Sequence, residues 1–224
     1  MFVTNLFNKV VNDYSFMKEK DTKSKEQQIL LAAEQEFLLK GYDGARTTSI
    51  AQAAGVTHAM LHYYFRTKEH LFERIVDEKF ATMSYSMFAI MGDSSLPILD
   101  RIKGGVEAHF DFVAANPLLP RFVINEIVSR PKRYEVLSKR MNDIITTIFC
   151  GLQSDFDQAV ECGAIERIDV KMLFISIMSM NVFPFVAYSF IEPIMGDLMA
   201  DRERFLAARK AENVETILRR IKKQ

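Results

Sequence analysis

Two histidines, His58 and His62, stand four residues apart in a stretch that also carries Thr57, Tyr63 and Tyr64. On a helix this spacing puts both imidazoles on one face, as in helical metal sites. A zinc hydrolase needs a glutamate beside the first histidine, but Ala59 stands there and no third ligand lies nearby. No metal is expected. Other enzymatic chemistry is equally short of residues: there is no glycine-rich phosphate loop, nucleophile elbow or paired-carboxylate motif. Asp111, Glu126 and Asp143 are scattered acids, and His70 and His109 stand alone. Cys150 and Cys162 fall in one expected helix with no pairing framework, which suits reduced thiols in a cytosolic protein. The chain reads as a cytoplasmic non-enzyme with no cofactor.

What the histidine stretch can do is make contacts. The whole chain has a formal charge of zero, so any attraction to nucleic acid must be local. From Gly44 to Lys68 the only formal charges are Arg46, Arg66 and Lys68, with no acid among them. Thr47 to Phe65 reads as two short helices joined by a tight turn at Gly55. Small Ala51, Ala53 and Ala54 let those helices approach, while Ile50, Val56, Leu61 and Phe65 form a minimal core. Leu61 and Phe65 share one face at i, i+4. His58, Ala59, Met60, His62 and Tyr63 are left facing outward. A carboxylate-free short helix of this kind fits a DNA major groove.

The elements around it are all helical. About half the residues are hydrophobic and a quarter charged, only six are proline, and β-branched alternation is rare. Periodicity and punctuation predict an all-α fold of about nine helices. The first covers 24–40, with Ile29, Ala32, Ala33, Phe37 and Leu38 on one face and Gly41 as its left-handed cap. Thr47 or Thr48 caps the second, Thr57 the third and Thr67 a long fourth reaching Ile90. Pro97 opens the fifth, Asn116-Pro117 precedes a short sixth, and a seventh runs from Pro131 to Cys162-Gly163. Asp169 caps an apolar eighth that Pro184 must kink, and Gly196-Asp197 precedes a charged ninth.

Residues 24–73 resemble the DNA-binding domain of the TetR/AcrR family of regulators. The resemblance rests on Ala32-Ala33, Phe37, Gly41-Tyr42, Thr47-Thr48, Ile50-Ala51 and Ala54-Gly55-Val56, followed by Leu61-His62-Tyr63-Tyr64-Phe65, Lys68-Glu69 and Leu71-Phe72. It implies that Thr47 and Thr48 meet phosphates or adjoining bases. Thr57, His58, Ala59 and Met60 would occupy the base-reading start of the recognition helix, with His62 and Tyr63 on backbone and bases and Lys68 on a phosphate. Helix-start amides favour anions, which supports Thr57 and Lys68 independently. Where the family commonly has a small residue or threonine, Met60 offers only apolar contact, such as to a thymine methyl. His58 replaces a position often cationic or amide.

The expected organisation is therefore an N-terminal extension over 1–23, a helix-turn-helix domain over 24–73 and a ligand-binding and dimerisation domain over 74–224. Met17 opens a charged lead-in, so Met1–Phe16 reads as an upstream-start extension or a weakly ordered arm. Met172–Ile191 carries no charge and reaches the length of a membrane span, but its serines, Asn181 and Pro184 favour a buried helix. The resemblance implies that helices five to nine hold an effector and a twofold interface. Phe88, Phe110, Phe122, Glu126, Phe149, Phe174, Met178 and Asn181 are the candidate ligand residues. Phe183, Tyr188, Val214, Ile217, Leu218 and Ile221 are the candidate dimer residues. A homodimer places two recognition helices roughly 34–36 Å apart, as a pseudo-palindromic operator in double-stranded DNA requires. The expected function is a repressor released by a small apolar or amphipathic effector, the fourth helix changing tilt on binding. The competing reading is an α-helical protein-interaction module without sequence-specific DNA binding.

Overall fold

A computed structural model of the chain describes residues 24–128, 146, 149 and 152–223. Met1–Phe16 and Cys150 lie outside the described residues, as does the side chain of Phe88. The described residues contain ten named helices, a further helical stretch over 152–161, and no strand. An isolated antiparallel bridge joins Ile165 to Lys222. The all-α expectation holds.

The helices divide into two compact units. The first contains residues 24–85 together with 122–128; the second contains 86–121 and the described residues from 146 onward. Ile75, Val76 and Phe122, beyond residue 73, also pack into the first core.

In the first unit α1 spans Lys25–Gly44. Ser24 and Gln27 form a capping box, each side chain accepting from the other's backbone N–H at 3.2 Å. The regular helix breaks at Gly41, whose φ of 67° is open to glycine at little cost, and one further turn follows to Gly44. Next come α2, Thr47–Ala53, and α3, His58–Tyr64, then α4, Lys68–Met91. Thr67 accepts from His70 N–H at 3.0 Å, as its cap position predicts. Ile29, Ala33, Phe37, Ile50, Leu61, Phe65, Leu71 and Phe72 form the core. Phe72 meets Phe37, Tyr42 and Phe122 at ring-centroid distances of 5.3, 5.1 and 5.7 Å.

The second unit is built around α5, Ile98–Ala115, with α7, Val170–Val186, and α10, Arg202–Ile221, packed against it. The short α6, Leu119–Val128, follows α5 and falls mostly in the first unit, while α8, Tyr188–Met195, and α9, Asp197–Ala200, lie between α7 and α10 in the second. Asp169 caps α7 by accepting from the N–H groups of Lys171 and Met172. Pro184 lies within the last turn of α7, and α8 leaves at 76° to it. Proline has no N–H for the carbonyl four residues earlier, here Met180. The Asn213 amide nitrogen supplies that bond at 3.1 Å. No single described helix is long and apolar enough to cross a membrane; only the sharply bent pair α7–α8 reaches the length together.

Candidate nucleic-acid interface

The helix-turn-helix is held from beneath. Ile50, Leu61 and Phe65 are almost wholly buried, and Ala51 and Ala54 let α2 and α3 meet closely. Gly55 supplies the turn with φ 63°, a backbone that a residue with a Cβ adopts only under strain. Val56 N–H then bonds back to Ala51 C=O at 3.0 Å, closing the turn. Thr57 caps α3, its hydroxyl accepting from Met60 N–H at 3.1 Å.

With Leu61 and Phe65 fixed inward, Thr57, His58, Ala59, Met60, His62 and Tyr63 lie outward. Tyr63 is 82% exposed and unsupported by the core. Its ring meets only Tyr64 among the described aromatic contacts, edge to face at 5.4 Å. The His58 and His62 rings are also edge to face, 4.4 Å apart. His62 Nδ1 lies 3.3 Å from Arg66 C=O. Among the described residues no group of three or more metal-ligating side chains forms.

Two threonine and lysine positions differ from the simplest expectation. The cap of α2 is Arg46, and Thr47 is already its first helical residue. Its hydroxyl is therefore released from capping and lies 3.0 Å from His58 Nε2, joining the two helices across the outer surface. Thr48 is exposed one residue on. Lys68, half-buried at the start of α4, turns back over the Tyr42 ring at 4.6 Å and donates to Asp43 C=O at 3.4 Å. A phosphate contact by Lys68 would share the ammonium with these groups.

Residues 29–75 match the model of bacterial regulatory proteins of the TetR family. This stretch is a TetR-family DNA-binding domain, and the chain is similar to regulators of that family. A curated relative is the uncharacterized HTH-type transcriptional regulator YdgC of Bacillus subtilis, 24% identical over 166 residues, covering 70% of this chain and 85% of that protein. Two solved structures share the fold. The TetR family regulator PfmR of Thermus thermophilus has a TM-score of 0.62 at 20% identity, covering 85% of this chain and 97% of its own. The fatty acid degradation regulator FadR of Bacillus halodurans has a TM-score of 0.60 at 23% identity, covering 89% and 97%.

In the rest of the chain the candidate ligand residues separate. Phe149 and Phe174 meet edge to face at 5.3 Å and line a small cavity with Met87, Met91, Leu152 and Ile177. Phe110 is buried against Phe185 at 5.6 Å, and Met178 is half-buried. Phe122 and Glu126 belong to the first unit instead. There Glu126 Oε1 accepts Tyr42 N–H at 3.0 Å, beside the Gly41 break. A carboxylate so placed serves the turn before α2, and the isolated glutamate gave no sequence signal of that partner.

Asn181 is fully buried in a polar chain within the second unit. Its amide nitrogen donates to Val106 C=O and to His109 Nδ1, both at 3.0 Å. Its carbonyl accepts from Asn213 at 2.8 Å. With Nδ1 accepting, His109 is neutral and carries its proton on Nε2, and burial pushes its pKa down to about 4.

The dimer candidates also divide. Val214, Ile217 and Ile221 are buried within the chain, where the apolar stripe of α10 packs on α5 and α7. That stripe is intrachain core and is closed to a partner; Leu218 and Tyr188 are half-buried. The open apolar face runs along the other side of α7 and on to α8: Met172, Ile175, Phe183, Val186, Phe190 and Ile194 are exposed. A helix apolar on every side was the available signal, since both faces then need covering.

Proposed function

We propose that this chain is a homodimeric repressor that binds a pseudo-palindromic operator and is released by an effector with a substantial apolar part. The observation carrying the DNA-reading assignment is the outward, carboxylate-free face of α3, anchored by buried Leu61 and Phe65. Thr57, His58, Ala59 and Met60 take the base-reading role at its start, with His62, Tyr63, Thr47, Thr48 and Lys68 on adjoining bases and phosphates. The exposed apolar face of α7 and α8 supports a second copy as partner, because large apolar patches are rare on monomers.

The effector reading rests on the cavity in the second unit. It measures about 20 Å³ and its lining is apolar throughout. A ligand would enlarge it, and Met87 and Met91 are unbranched side chains able to rearrange. A larger cleft of about 670 Å³ by Gln153, Asp157, Glu161, Arg167 and Lys171 is open to solvent and mixes both signs of charge. The apolar cavity is the better effector site because residues of α4 line it. The FadR neighbour is a regulator of fatty acid degradation, which supports an acyl-like chain.

Selection from a random pool of duplex DNA tests the central claim. The wild-type chain should enrich a sequence with twofold symmetry, and its affinity for that duplex should fall steeply with salt. Enrichment of nothing, or binding insensitive to salt, would favour the protein-interaction reading.

A further inference from the structure

The C-terminal end of α4 is clamped by α5 within the second unit. Arg101 is buried, only 5% exposed, and its Nε donates to Met91 C=O at 2.8 Å. That carbonyl belongs to the last turn of α4, where helical carbonyls lack a partner of their own. The other arm of the same guanidinium bonds Asp155 at 2.6 Å. One side chain thus ties the end of α4 to the helical stretch 152–161.

The backbones close in beside it. A methyl group on Gly104 would overlap Ile90 Cγ2, and one on Gly105 would lie 2.6 Å from the Cγ and Sδ atoms of Met91. Two consecutive glycines on α5 therefore set how near Ile90 and Met91 can come. The clamp borders the apolar cavity on two sides: Met87 and Met91 come from α4, and Leu152 and Phe156 flank Asp155. Anything enlarging the cavity between them must push apart two elements that Arg101 holds together.

We propose that Arg101, with the Gly104-Gly105 contact, is the positioning device that holds α4 in its DNA-competent setting and yields when the cavity fills. This inference rests on the regulator reading above. The α4 helix begins at Lys68, directly after the helix-turn-helix, so displacement of its far end reaches that start through one helix. A small wedge at Gly104 should then imitate the effector without any effector present.

The test uses the full-length chain and the duplex that wild type selects from a random pool. Gly104→Ala should weaken binding about tenfold or more, in the range of an ordinary coupling between sites. The salt slope should stay at the wild-type value, because the phosphate contacts themselves are untouched. Ile90→Ala removes the overlapping methyl, so the double variant Ile90→Ala/Gly104→Ala should recover wild-type affinity. Arg101→Lys, which keeps the charge beside Asp155 but loses the forked donor, should weaken binding in the same direction if Gly104→Ala fails to fold. Folded Gly104→Ala or Arg101→Lys protein with wild-type affinity overturns the inference alone, as does a double variant that stays weak. A wild-type chain that selects no duplex overturns the regulator reading and this inference with it.

Discussion

Thr47 Oγ1 and His58 Nε2 lie 3.0 Å apart, linking the first residue of α2 to the first residue of α3. The bond spans the turn at Gly55 on the exposed side, while Ile50 and Leu61 join the same helices underneath. Each partner therefore orients the other on the surface that would meet DNA. Thr47→Val and His58→Ala should each weaken operator binding, and the double variant should lose less than the sum. The expected coupling is about 1 kcal/mol, the usual net worth of such a bond. Strict additivity in a binding titration would mean that the two side chains act independently.

Tyr63 tests whether exposure on α3 serves recognition. At 82% exposed it contributes little packing, so Tyr63→Ala should leave stability within about 0.5 kcal/mol of wild type. Operator affinity should nevertheless fall by roughly 1–3 kcal/mol if the ring meets DNA. Paired melting and binding measurements decide it: wild-type affinity in a folded variant would remove Tyr63 from the interface.

Local physics made the helix-turn-helix readable from the chain. Gly55, the alanines around it and the i, i+4 pair Leu61/Phe65 act over a few residues, and their spacing alone orients α3. Thr57 and Asp169 caps were likewise visible as residue types before helix starts. Partners distant in sequence left no such trace. Glu126 reaches Tyr42 across 84 positions, and Arg101 reaches Asp155 across 54. The stripe on α10 showed a helix with an apolar side, but periodicity does not say whether that side faces its own chain or another. The structure turns Val214, Ile217 and Ile221 inward and leaves α7 and α8 open.

That open face carries its own prediction. Phe183 and Phe190 are 59% and 72% exposed, and neither has a buried role in the described chain. If the proposed dimer forms through this face, Phe183→Lys/Phe190→Lys should fold yet run as a monomer in light scattering at a concentration where wild type runs as a dimer. Operator affinity should fall with it, since one recognition helix then reads only a half-site. A double variant that remains a dimer would place the twofold contact elsewhere.

Acid should destabilise the second unit through His109. Burial holds its pKa at about 4 against an ordinary value of 6.5, so the unfolded chain takes up the proton first as pH falls. Above 6.5 both states are neutral and the full stability is present. Between 6.5 and about 4 the unfolded state binds more protons, and stability drops on the order of 3 kcal/mol over that window. Protonation would also oppose the Asn181 amide, which donates to Nδ1 in the neutral form. His109→Gln removes the titration while its carbonyl oxygen can still accept from Asn181. Urea unfolding across the window, at one protein concentration, should show a steep pH dependence for wild type and a shallower one for the variant. Equal slopes would mean that His109 is not the group that acid attacks.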